Sequence, residues 1–80
     1  MMKIGVKILP RKEVLDSQGR AVEKTLTQNG KVVAACRVGK YFQLDIEESD
    51  KDKALAQAKE ITEFVLYNPL IETFELEVVL

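Results

Sequence analysis

Eighty residues, 46% of them hydrophobic and 31% charged, describe one domain over residues 1–80 with a polar surface and a small core. Twelve basic residues against thirteen acidic ones argue against a nucleic-acid partner, because such proteins need surplus Lys and Arg to displace counterions from phosphates. The sequence holds no histidine and one cysteine, which removes histidine-based triads, the commonest metal ligand and any intrachain disulfide.

A metal site would have to be built from carboxylates alone, and no residue pattern identifies a catalytic, cofactor-binding or metal-binding site. No apolar run approaches the roughly 20 residues that span a bilayer, and "MMKIGVKILP" lacks the apolar stretch and cleavage site of a signal peptide. The expectation is a cytoplasmic protein without a membrane partner. So small a core also makes burial against another chain an expectation.

Residues 2–9 alternate, with Met2, Ile4, Val6 and Ile8 on one face and Lys3, Gly5, Lys7 and Leu9 on the other. This predicts a half-buried strand that Pro10 ends by removing a ladder donor. In "DSQGRAVEKTLTQNG", Asp16 is placed to cap a helix whose narrow apolar stripe is Ala21, Val22, Thr25 and Leu26, and Asn29-Gly30 supplies a stop.

Alternation then returns from Val32 to Glu47, too long for one straight strand in so small a domain. A hairpin at Gly39-Lys40-Tyr41, with Gly39 at φ > 0, would set Val38 against Phe42, Cys36 against Leu44 and Ala34 against Ile46. One strand bent by a glycine bulge and shared with a second subunit is the alternative.

The next helix is predicted over "ESDKDKALAQAKEITEFVLYNP", with Ser49 and Asp52 as a capping box and Ala54, Leu55, Ala58, Ile61, Thr62 and Val65 as its buried stripe. Phe64 and Tyr67 fall outside that stripe and are candidate partner contacts. Asn68-Pro69 ends the helix. A last strand, "IETFELEVV", turns Phe74, Leu76 and Val78 inward.

The order β-α-β-β-α-β predicts an α+β two-layer sandwich, an antiparallel sheet with two helices on one face in the ferredoxin-like arrangement. The last strand should lie antiparallel beside the first, placing Glu75 and Glu77 against Lys3 and Lys7.

The reactive-looking residues have structural explanations. Cys36 falls on an inward strand face, where a thiolate is disfavoured. "VGK" lacks P-loop spacing and leads into strand pattern. Arg37 points outward and suits an interface ion pair. The acidic run "LDIEESD" alternates as a solvated edge and opens a helix. In "DSQG", Gly19 in a first helical turn costs stability but would admit another backbone at close range.

In order, "EVLDSQGRAVEKTL", "CRVGKYFQLDIE" and "LYNPLIETFELEV" resemble PurS, the small subunit of bacterial and archaeal phosphoribosylformylglycinamidine (FGAM) synthase. The family pattern V-x-D-P-x-G, R-x-G-K and N-P-x-I-E falls on Asp16 and Gly19, on Arg37, Gly39 and Lys40, and on Asn68, Pro69, Ile71 and Glu72. Ser17 departs from it where the family commonly has proline, and serine is also a good early-turn residue.

The resemblance implies a non-catalytic subunit in purine biosynthesis. It would bridge a PurQ-type glutaminase and a PurL-type synthetase and assist ammonia transfer between them. ATP and Mg²⁺ would belong to the synthetase partner and no cofactor to this chain, which would assemble as a homodimer or homotetramer. Asp16, Gly19, Arg37, Lys40, Tyr41, Phe64, Tyr67, Asn68 and Pro69 are the candidate partner-interface residues.

The competing reading is a ferredoxin-like small-molecule or RNA-binding regulatory module. RNA would want aromatics stacked on one sheet face, whereas Tyr41 and Phe42 are adjacent and point to opposite sides.

Overall fold

Alternation at the N-terminus produces the central strand of the sheet. In the computed structural model, which describes residues 1–79, β1 (Met2–Pro10) is flanked by β2 (Lys40–Ile46) and β3 (Glu72–Val79). The sheet order is β2-β1-β3, and both pairings are antiparallel. Having neighbours on both sides, β1 buries Ile4, Val6 and Ile8 completely or nearly so. Leu44 and Ile46 from β2 and Leu76 and Val78 from β3 extend the same inner face.

The last strand does lie beside the first. Lys7 faces Glu75 across the ladder and pairs diagonally with Glu77, at 3.2 Å from Nζ to Oε2. Lys3 instead faces Val79 on one side and Asp45 on the other.

The inner face is covered by α2 (Lys51–Ile61), which contacts all three strands. Its fully buried positions are Ala54 and Ala58, small enough for the helix backbone to approach the sheet. Its N-cap is Asp50, one residue beyond the expected Ser49. The Asp50 Oδ1 accepts from the amides of Asp52 at 2.9 Å and Lys53 at 3.2 Å. A carboxylate complements the positive end of the helix better than a hydroxyl does.

The predicted stripe ends differently because α2 passes into a π-helical turn over Thr62–Leu66. Bonding from i to i+5 puts one extra residue into the turn, so the buried row runs 54, 58, 62 and then 66. Leu66 is half-buried, whereas Val65 is 67% exposed. Thr62 is buried without penalty because its hydroxyl donates to the Ala58 carbonyl at 2.8 Å.

Ala58→Leu should therefore destabilise the chain by about 1–3 kcal/mol through overpacking. Val65→Gln should stay within about 0.5 kcal/mol of the parent. Urea unfolding of the two variants checks both values, and equal losses would return Val65 to the core.

The α+β class and the antiparallel sheet expected from the sequence hold, with three strands in the order β-α-β-α-β and two departures. First, residues 32–38 form no strand, with a bend at Ala34, and make no ladder with any described residue, so the Gly39 hairpin does not form. Val38, Cys36 and Ala34 have no partners on β2, whose Phe42, Leu44 and Ile46 face Val6, Ile4 and Met2 across β1. Val33 accordingly lies off the sheet, and Cys36 lies outside the core.

The sole glycine with positive φ among the described residues is Gly30, at 75°, and not Gly39. At Gly39 a Cβ would instead collide with the carbonyl oxygen of Ile8, so the missing side chain is needed for close approach to β1.

Second, α1 (Ser17–Gln28) does not pack across the sheet beside α2. Gly19 is its one buried residue, and Val22 of the predicted stripe is exposed. Asn29 ends α1 in a Schellman arrangement, in which the amides of Gly30 and Lys31 donate to the carbonyls of Thr27 and Leu26. The molecule measures 48 × 28 × 15 Å, with a radius of gyration of 15.7 Å. A compact chain of this length has a radius of about 12 Å. The excess is α1 and the arm at 31–38, which lie outside the sheet.

Candidate functional site

A carboxylate at a helix N-cap ordinarily serves its own helix, and Asp16 serves two segments. One oxygen accepts from the Gly19 amide at 2.8 Å and closes the first turn of α1. The other accepts from the Val38 amide, also at 2.8 Å, and fixes the arm where it enters β2. The backbone that Gly19 admits is that of Cys36, because a Cβ at position 19 would strike the Cys36 carbonyl oxygen. Cys36 is thus half-buried against α1.

The two backbone hydrogen bonds, first from Gly19 and then from Val38, hold the Asp16 carboxyl below the usual carboxylate range. The nearby Arg37 charge adds to this, and partial desolvation opposes it. Since the folded pKa lies below the unfolded one, the latch contributes fully above the unfolded pKa and is lost as pH falls through the folded value. Amide shifts of Gly19 and Val38 should therefore titrate together at a pH below an ordinary aspartate. Separate midpoints would mean that the carboxylate does not bridge them.

The second cluster forms around the turn at 68–72. The Asn68 side chain accepts from the Leu70 amide at 3.0 Å, and its carbonyl accepts from Ile71 and Glu72. Glu72 answers in both directions, taking the Asn68 amide at 2.8 Å and pairing with Lys40 Nζ at 3.3 Å. Arg11 lays its guanidinium fork on the Pro69 carbonyl, at 3.0 Å from Nε and 2.8 Å from Nη2. Its own amide donates to Ile71 at 2.8 Å.

Asp16, Gly19, Lys40, Asn68 and Pro69 thus meet at one end of the sheet, with Arg37 between the two residues that α1 holds. The carboxylates there are spent on backbone amides and a lysine, so the chemistry of the cluster is positioning. No periodicity pointed to Arg11, because its acceptor lies 58 residues away.

The other three candidates lie elsewhere. Tyr41 crosses the open sheet face above Gly5, and its hydroxyl donates to Glu77 at 3.2 Å. That hydrogen bond ties down the ring an RNA base would need for stacking. Phe64 is 87% exposed and lines a shallow depression with Gln57, Glu60 and Ile61. Tyr67, grouped with Phe64 by helical spacing, turns inward through the π-turn and meets Phe74 edge-on, with ring centroids 4.7 Å apart.

The family model described as "PurS: Phosphoribosylformylglycinamidine (FGAM) synthase" matches residues 3–80. The PurS subunit of Bacillus subtilis is 39% identical over 79 residues, covering 98% of this chain and 93% of that one. The crystal structure of the Thermotoga maritima PurS subunit superposes with a TM-score of 0.92 at 30% identity, covering 98% of this chain and 91% of that one. A structure of PurLQS from the same organism contains a chain matching at TM-score 0.90 and 29% identity, over 98% of this chain and 96% of that one. With the family motifs gathered at one end of a matching fold, this chain belongs to the PurS family of FGAM synthase subunits.

Proposed function

We propose that this chain is the non-catalytic bridging subunit of an FGAM synthase in purine biosynthesis. It joins a PurL-type synthetase to a PurQ-type glutaminase and helps ammonia pass between them. The observation that carries this reading is the exposed arm with α1. A chain with a radius of gyration of 15.7 Å keeps much of its length out of its own core and available to other chains.

The overall reaction converts formylglycinamide ribonucleotide, glutamine and ATP to FGAM, glutamate, ADP and phosphate. Released ammonia protonates in water and ceases to be a nucleophile, so a closed junction between glutaminase and synthetase preserves it. In this reading ATP and Mg²⁺ act in the synthetase, and the complex is cytoplasmic. No helix among the described residues is long and apolar enough to cross a membrane.

The arm also supports self-association as a homodimer or homotetramer. Residues 32–38 keep strand alternation without a strand partner, and Val32 is 93% exposed. A segment with strand alternation and no ladder of its own is a template for pairing with a second copy, although its Val38 amide is already taken by Asp16.

Reconstitution with the synthetase and glutaminase tests the function. The chain should restore glutamine-dependent synthesis and leave ammonia-dependent synthesis by the synthetase almost unchanged. Equal stimulation of both, or no complex in the presence of glutamine and nucleotide, removes the bridging reading. Sedimentation of the isolated chain tests self-association, and a monomer at every concentration removes it.

A further inference from the structure

Between the loop after β1, the first turns of α1 and the arm runs a groove of about 280 Å³ whose charged lining is Arg11, Lys12, Asp16, Arg20, Glu23 and Arg37. Four cations against two carboxylates make it a positive site on a chain whose net charge is −1. An adjoining depression shares Arg11, Lys12 and Arg37 and adds Glu13, so the three cations also border the surface past the groove's end.

The cations fall into two kinds. The Arg11 fork is committed to the Pro69 carbonyl. Lys12, Arg20 and Arg37 come from three different segments, and none has a carboxylate within 4.0 Å among the described residues, although Lys7 and Lys40 do. Their backbones are nevertheless held. Arg20 sits in the first turn that Asp16 caps, and Arg37 lies between Cys36 against Gly19 and Val38 on Asp16. Exposed, unpaired guanidinium groups on held backbones suit planar oxyanions, which they can grip with two parallel hydrogen bonds.

We propose that this groove docks a carboxylate-bearing segment of one of the two partner subunits, with Lys12, Arg20 and Arg37 as its reading charges. The inference rests on the bridging function proposed above and adds the chemistry of the contact. A protein carboxylate fits better than a small phosphorylated ligand. Asp16 and Glu23 in the lining oppose a dianion, and the three cations stand on an open rim that suits a surface segment. Rim charges of this kind act chiefly on the rate of encounter and its salt dependence.

The test is the association rate of the full chain with the synthetase–glutaminase pair, in glutamine and nucleotide, across a salt series. Arg20→Glu and Lys12→Glu are the variants, and Lys59→Glu on α2 is the control with the same charge change. A glutamate at position 20 suits a helix N-terminus, so folding is preserved and circular dichroism verifies it. Each groove variant should slow association at low salt by about tenfold or more and flatten its salt dependence, with dissociation little changed. Lys59→Glu should do much less.

Equal effects from all three variants, or an unchanged salt dependence, overturn the groove and leave the bridging reading intact. No complex with the parent chain overturns the bridging reading and the groove with it. In a parallel arm, inorganic phosphate and ATP are titrated into the isolated chain while the Arg20 and Arg37 side-chain NMR signals are followed. Saturable shifts there, together with unimpaired assembly of the variants, make the groove a small-anion site and overturn the carboxylate assignment.

Discussion

Gly39→Ala should cost about 1–3 kcal/mol of stability and shift the start of β2 away from β1. The new Cβ would meet the carbonyl oxygen of Ile8, a backbone atom of the central strand next to the Ile8–Lys40 pair. A backbone oxygen cannot swing aside as a side-chain tip can, so the strand must move or the pair must open. Gly30 supplies the contrast. Its neighbourhood is empty, and its φ of 75° alone makes a side chain unfavourable.

Asparagine tolerates the left-handed region at helix ends. Gly30→Asn should therefore recover most of what Gly30→Ala loses, whereas Gly39→Asn should be at least as damaging as Gly39→Ala. Urea midpoints of the four variants decide it. Recovery by asparagine at position 39 would mean that Gly39 serves conformation and not proximity.

These two glycines also mark what the sequence could reveal. Gly30 follows a helical pattern and an asparagine, a local signal of a helix stop, and the structure uses it so. Gly39 interrupts a long alternation, and alternation states which residues share a face without stating which chain or strand lies beside them. The hairpin expected there was the pairing available within one chain. Asp16 forecloses it by holding Val38 at α1, a contact between residues 22 apart that no local pattern contains.

The same limit explains the rest. β1 and α2 were legible because neighbouring residues carry their periods, and the shift from Val65 to Leu66 was not, because a π-turn leaves the aliphatic spacing unchanged. Of the candidate site, Asp16, Gly19, Lys40, Asn68 and Pro69 were legible as family motifs. Arg11 has its acceptor 58 residues away along the chain, and nothing near it in sequence announces that.

Gly19→Ala separates a structural helix from a functional one. In α1 alone the change should help, because alanine is favoured over glycine within a helix by about 1 kcal/mol. The added Cβ would strike the Cys36 carbonyl and press on the Asp16 carboxylate, so the arm must leave α1. The variant should thus keep or gain helix by circular dichroism, lose hydrogen-exchange protection at Val38, and lose most glutamine-dependent synthesis in the reconstituted complex. Ammonia-dependent synthesis should be unchanged, because that chemistry does not pass through this subunit.

Asp16→Asn checks the same contact from the other side. Its single amide oxygen can still cap Gly19, but its NH₂ group cannot accept from Val38. Gain of helix with full glutamine-dependent activity in Gly19→Ala would reduce the α1–arm contact to an incidental one. Helix gain with activity lost assigns the glycine to assembly, where close backbone approach outweighs the helix it weakens.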